Sequence, residues 1–111
     1  MEIPENAVRL RILLGESDRW ENKPAYEAIV LKAREAGLAG ATVLHGPMGF
    51  GAGSRIHTAK ILQLSVDLPF VIEIVDSREK IDAFLPLVKS MLQGGLVTLE
   101  EVRVLHYQAG K

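Results

Sequence analysis

The residues best suited to chemistry gather in one stretch, HGPMGFGAGSRIHTAKILQLSVDLP, from His45 to Pro69. Gly49, Gly51 and Gly53 alternate there around Phe50 and Ala52. Glycines let backbone N–H groups approach a phosphate closely, although the same pattern suits the base of a mobile loop or a β-bulge. Ser54, Arg55, His57 and Lys60 follow directly. Cationic and titratable groups behind a Gly-rich turn can grip an anion through charge-assisted hydrogen bonds. They can equally be the solvated polarity of a loop. A second pair, Gly94-Gly95, sits where a helix is expected to end. One glycine is explained by a left-handed helix stop; two together, ahead of Leu96-Val97-Thr98, also permit close phosphate approach.

Catalysis finds little support in the same residues. Ser54 and His57 are near in sequence, but no acid is placed to orient the imidazole as a triad requires. Glu73 and Asp76 fall on opposite faces of a regular strand, which makes them a poor acid–base pair. His45 and His106 are both expected on strands, far apart and without companion ligands, so no metal site is expected. Cysteine is absent, which removes disulfides, thiol nucleophiles and sulfur-ligated zinc. The expectation is a binding protein and not an enzyme.

The elements that must position these groups follow from periodicity. Val8, Leu10, Ile12 and Leu14 alternate with Arg9, Arg11 and Leu13, the pattern of a strand with one apolar face; Gly15 ends it, and Glu16–Lys23 reads as a loop. Pro24 suits a helix start. Tyr26, Ile29, Val30 and Ala33 then share a helical face, and Gly37 stops a helix of about Pro24–Ala36. Ala41–Leu44 is a short strand that can extend to His45. Phe70–Val75 is the clearest strand. Ser77 can cap a second helix, with Glu79 in its first turn. Ile81, Phe84, Leu85, Val88, Met91 and Leu92 form its apolar stripe, and Pro86 inside that stripe predicts a kink or break. Leu96–Tyr107 completes the series as a long strand.

The order is β-α-β-loop-β-α-β. It predicts an α+β, ferredoxin-like βαββαβ domain, a four-stranded antiparallel sheet with two helices on one face. Residues 1–6 read as a flexible N-terminal segment, 7–108 as a single domain carrying the long loop 46–69, and 109–111 as a tail. With strand order 4-1-3-2, Arg9, Arg11 and Glu73 share the face turned away from the helices, and Glu101 and Arg103 can join them. That face is either wet and open or an oligomer surface.

The 111 residues suffice for one domain with its own core, and the 48% hydrophobic and 24% charged fractions are those of an ordered globular chain. A formal net charge of -1 argues against a broad basic face for nucleic acid. No apolar run reaches the length of a membrane span, and the polar start is not a signal peptide. A cytoplasmic protein is the expectation.

The run from Gly49 to Val88 resembles the prokaryotic family called domain of unknown function 190, within the PII-like signalling superfamily. The likeness rests on Leu14-Gly15-Glu16, the MGFG turn at Met48–Gly51, the Arg55-x-His57 pair, the stretch Asp67–Ser77, and GGLVTLEEV at Gly94–Val102. It covers nearly the whole chain beyond Asn6. The resemblance implies a homotrimer whose small ligands, often adenine nucleotides such as AMP or ADP, sit in clefts between subunits. It implies a reporting loop between the second and third strands and a Gly-containing phosphate turn after the second helix. Some members are associated with membrane ion-channel proteins, so a transporter or channel partner is the alternative to a ligand-binding role. The chain departs from PII proteins across that loop and turn, so ATP and 2-oxoglutarate are not carried over. The ligand-binding expectation therefore rests on Gly49, Gly51, Gly53, Ser54, Arg55, His57, Lys60, Gly94 and Gly95.

Overall fold

Alternation builds the first strand as expected: in β1, Asn6–Gly15, the side chains of Val8, Leu10, Ile12 and Leu14 are buried while Arg9, Arg11 and Leu13 lie half-buried on the other side. The computed structural model describes residues 2–51, 56–58 and 67–108, with the backbone alone at His57. β1 leads into a small ladder of β2, Arg19–Trp20, and β3, Lys23–Pro24. The turn between them places Glu21 at φ 48° and Asn22 at φ 64°. Two left-handed residues in succession are what a tight two-residue hairpin requires. This ladder stands in the stretch Glu16–Lys23 expected to be a plain loop and takes in Pro24, expected as the first helical residue. Trp20 packs against the core, with the Lys32 ammonium 5.9 Å from its ring centroid.

Helix α1, Ala25–Glu35, begins one residue after Pro24 and buries Ala25, Ala28, Ile29 and Ala33. Gly37 follows with φ +76°, the left-handed stop its type favours. β4, Thr42–His45, is followed by a second small ladder, β5, Met48–Gly49, and β6, His57–Thr58. β7, Pro69–Asp76, alternates without a break, with Phe70, Ile72, Ile74 and Asp76 inward. Helix α2, Arg78–Met91, is capped by Ser77, whose hydroxyl accepts the Lys80 N–H at 3.2 Å. The chain ends in β8, Leu96–Arg103.

β4, β7, β1 and β8 lie side by side in that order as one antiparallel sheet. Both helices pack on one face, and the core between the layers is built from Leu10, Ile12, Ile29, Ile72, Ile74, Ile81, Val88 and Met91, all essentially without solvent exposure. This is the ferredoxin-like α+β arrangement the pattern implies.

Three expectations are corrected. α2 runs through Pro86 without a break. Ile81 and Phe84 before it, and Val88 and Met91 after it, anchor both halves in the same core, while Pro86 is exposed, so water can satisfy the carbonyl one turn earlier that loses its partner. β8 stops at Arg103 and not at Tyr107. Beyond it the Val104 N–H donates to Glu5 O at 2.8 Å and the Tyr107 hydroxyl donates to Ala39 O at 2.8 Å, so His106 lies off the strand. Glu101 and Arg103 do not join the arginines on the open face. Register sets Glu101 opposite Val8 and Arg103 opposite Asn6, and opposed residues share a face. Glu101 therefore lies on the helix side, 3.7 Å from Arg78, and Arg103 pairs with Glu5 at 3.1 Å.

Candidate ligand site

The outer face of the sheet carries the best-defined polar geometry. Arg11 lies opposite Glu73 on β7, and its Nε and Nη2 both donate to the same carboxylate oxygen, Nε at 2.9 Å. Arg9 lies opposite Glu100 on β8 and donates to it at 2.7 Å. That hydrogen bond, and then the opposite charge of each partner, hold the Glu100 carboxyl below its ordinary range and raise the Arg9 guanidinium above its own. The Nε of Arg9 is buried and has no acceptor among the described residues. Around these pairs the same face presents Leu13, Leu44, Val71 and Leu96 at one end and Val75 and Val102 at the other. Leu44 and Leu96 are about half exposed, at 50% and 56%. No element of the described chain covers this layer.

The inner face closes one charge away. Asp76 is 1% exposed and accepts the Ala39 N–H at 2.9 Å and the Ser77 N–H at 2.7 Å. It joins the loop after α1 to the start of α2. From sequence Asp76 is weighed only as an acid–base partner for Glu73, and its structural role is missed. The available signal was its place inward of Ile74 by strand parity, directly ahead of a capping serine.

Of the candidate ligand residues, Gly49 and His57 come into register across the β5–β6 ladder. A Cβ at Gly49 would meet the Pro69 ring at 3.0 Å, so backbone packing already favours glycine there. Gly51 is exposed, with nothing within 4 Å of a Cβ. Gly53, Ser54, Arg55 and Lys60 lie outside the described residues. Gly94 is open in the same sense as Gly51. Gly95 differs: its φ is +92°, and a Cβ would lie 2.4 Å from the Leu13 carbonyl oxygen. Its residue type is required by the entry of β8 alongside β1, whatever else it does.

The described glycines, Gly49 and Gly51 after β4 and Gly94 and Gly95 before β8, flank strand ends at the same end of the sheet. β4 ends at His45, opposite Phe70, and β8 begins at Leu96, opposite Leu13; Leu14 in turn faces Phe70. β4 and β8 are nevertheless opposite edges, since β7 and β1 stand between them. Three strand spacings, about 14 Å, separate the end of β4 from the start of β8, and Gly49 folds back from the β4 edge onto Pro69 of β7.

Among the described residues no cluster of His, Asp and Glu could hold a metal ion, and no helix is long and apolar enough to cross a membrane.

Comparison with known proteins bears on the family and the fold. Residues 7–104 match the profile of the family described as Uncharacterized ACR, COG1993, domain of unknown function 190. A UPF0166 protein of Aquifex aeolicus (strain VF5) is 42% identical over 97 residues, covering 87% of this chain and 91% of that protein. UPF0166 protein MJ1524 of Methanocaldococcus jannaschii is 34% identical over 96 residues, covering 86% and 88%. Among solved structures, CPII, a nitrogen regulatory PII-like protein from Thiomonas intermedia K12 bound to ADP, AMP and bicarbonate, superposes with a TM-score of 0.65 at 17% identity, covering 89% of this chain and 88% of its own. The GlnK–ATP complex of B. subtilis superposes with a TM-score of 0.55 at 18% identity, covering 91% and 85%. At such identities these structures share the fold.

Proposed function

The chain belongs to the domain of unknown function 190 family, and on that premise we propose that it is a non-enzymatic PII-like regulator which binds a small anionic ligand, an adenine nucleotide such as AMP or ADP, between the subunits of a homotrimer. The observation that carries this reading is that Gly49 and Gly51 follow β4 while Gly94 and Gly95 precede β8, two edge strands whose ends lie at the same end of the sheet. A ligand touching both pairs can sit where the β4 edge of one copy meets the β8 edge of another. The uncovered outer face supports association as well. Its apolar ends suit burial against a second copy, and the two ion pairs in its centre neutralise one another beforehand. CPII and GlnK, of the same architecture, were crystallised with ADP, AMP or ATP. In this reading residues 7–108 form the folded unit, the glycines and the cationic groups Arg55, His57 and Lys60 approach the phosphate, and segment 46–69 reports occupancy.

The test is light scattering of the purified chain, with melting curves against AMP, ADP and ATP. A trimer mass is expected, together with stabilisation of about 2.7 kcal/mol at a ligand concentration of one hundred Kd. A monomer mass, or no shift with any of the three nucleotides, overturns it.

One observation favours a second reading, a module that docks on a membrane transporter or channel without a ligand of its own. Met48, Phe50 and Ile56, at the β5–β6 ladder, are 58%, 70% and 59% exposed. Large apolar side chains gathered at this exposure are what a protein contact would bury. Absence of any nucleotide-induced shift in an otherwise folded trimer supports this second reading.

A further inference from the structure

We propose that Glu16 is a two-ended clamp, a positioning residue that ties the turn after β1 to both limbs of the connection between β4 and β7, so that the two strand ends open and close together. Its backbone holds one limb: the Glu16 N–H donates to Leu68 O at 2.8 Å. Its side chain reaches the other, with Oε1 3.5 Å from His45 Nε2. The two limbs are also joined directly, because the Gly46 N–H donates to Pro69 O at 2.8 Å, and a Cβ at Gly46 would strike the Pro69 ring at 2.9 Å.

The surrounding groups leave this role to Glu16. The Asp18 carboxylate accepts the Gly15 N–H at 3.1 Å, and the Asp67 carboxylate accepts the Ser17 N–H at 2.8 Å. Both are spent on shaping the turn. The His45 ring stands edge-on to Phe70 at 4.5 Å, and Phe70 meets Tyr26 of α1 at 4.4 Å in the same manner. Aromatic packing thus fixes where the imidazole sits, and the carboxylate of Glu16 comes to it. Both side chains are almost half exposed, 47% and 42%, so solvent keeps the pair weak. A weak contact at a strand end can open without unfolding the sheet. The inference concerns the chain's own coupling and holds whichever ligand or partner is bound.

Amide hydrogen exchange tests it. The samples are the full chain, Glu16→Gln, His45→Gln and the double variant, with Ile72 and Ile74 amides as the reference for global stability. Each single variant is expected to lower protection at Gly46, Glu16 and Ser17 together by about two- to fivefold. The double variant is expected to lose no more than the larger single loss, because both changes remove one contact. Unchanged protection in Glu16→Gln overturns the proposal. So does a loss at Gly46 that leaves Glu16 and Ser17 unaffected, and so do additive losses. A loss in His45→Gln alone assigns the effect to packing on Phe70 and likewise overturns it.

Discussion

Replacing Gly95 by alanine perturbs backbone and packing at one point. At φ +92° an L-residue is strained by about 1–3 kcal/mol. The added Cβ would also lie 2.4 Å from the Leu13 carbonyl oxygen, against a practical limit near 3.0 Å. That oxygen is backbone of a central strand and cannot swing aside. Either β8 withdraws at its first residue or β1 deforms, and overpacking of this kind costs about 1–3 kcal/mol. The two effects share some relaxation, so a total of about 2–4 kcal/mol is expected. For a domain near this size each kcal/mol moves Tm by roughly 4–8 °C, so melting should fall by about 10–25 °C. Gly94→Ala is the matched control. Nothing lies within 4 Å of its Cβ and its φ is outside the left-handed range, so its stability should change by less than about 0.5 kcal/mol. Thermal melts followed by circular dichroism measure both. A Gly95→Ala variant as stable as the parent would refute the close approach of β8 to β1 from which the argument starts. The control also separates fold from ligand: Gly94→Ala stays folded, so any loss of nucleotide affinity in it is a binding effect.

Asp76→Ala should destabilise by about 2–4 kcal/mol, because two N–H groups, of Ala39 and Ser77, lose their acceptor in a largely buried setting; urea melts measure it, and a change under about 0.5 kcal/mol would mean that water replaces the carboxylate. Arg55→Ala should weaken adenine-nucleotide binding about ten- to a hundredfold by calorimetric titration while leaving Tm unchanged, through loss of a charge-assisted hydrogen bond. Unchanged affinity places the anion elsewhere. Acid should selectively remove the contribution of Glu100. The Arg9 hydrogen bond holds its folded carboxyl below the ordinary carboxylate range, so its stabilisation is present above that range and is lost as pH falls through the lower, folded value. Glu100→Gln should therefore narrow the difference in stability between neutral and strongly acid pH; an identical pH dependence in parent and variant would show that the Arg9 pair contributes nothing.

Much of the fold was legible because local periodicity carries it. The alternations of β1 and β7, the stripes of α1 and α2, and the Ser77 cap each repeat over enough residues to name an element, and the face of Arg9, Arg11 and Glu73 follows from parity alone. What the sequence could not yield were the pairings between distant segments. β8 reads Leu-Val-Thr-Leu-Glu-Glu-Val-Arg, with no strict alternation, so parity could not say whether Glu100 or Glu101 meets Arg9. Register against β1, entered through the close approach at Gly95, selects Glu100. Pro86 is a helix breaker by itself, yet it is tolerated where core contacts on both sides hold the turns and its own face meets water. Asp76 is surface-like by residue type, and only the meeting of the loop after α1 with the end of β7 supplies the two N–H groups that let it be buried. The glycine groups were visible as composition, but only the strand order showed that the strands they flank, β4 and β8, are opposite edges of the sheet. Local pattern depends on neighbours a few residues apart, whereas register, burial of a charge and the shape of a site depend on groups brought together from across the chain, and these exist only once the sheet has closed.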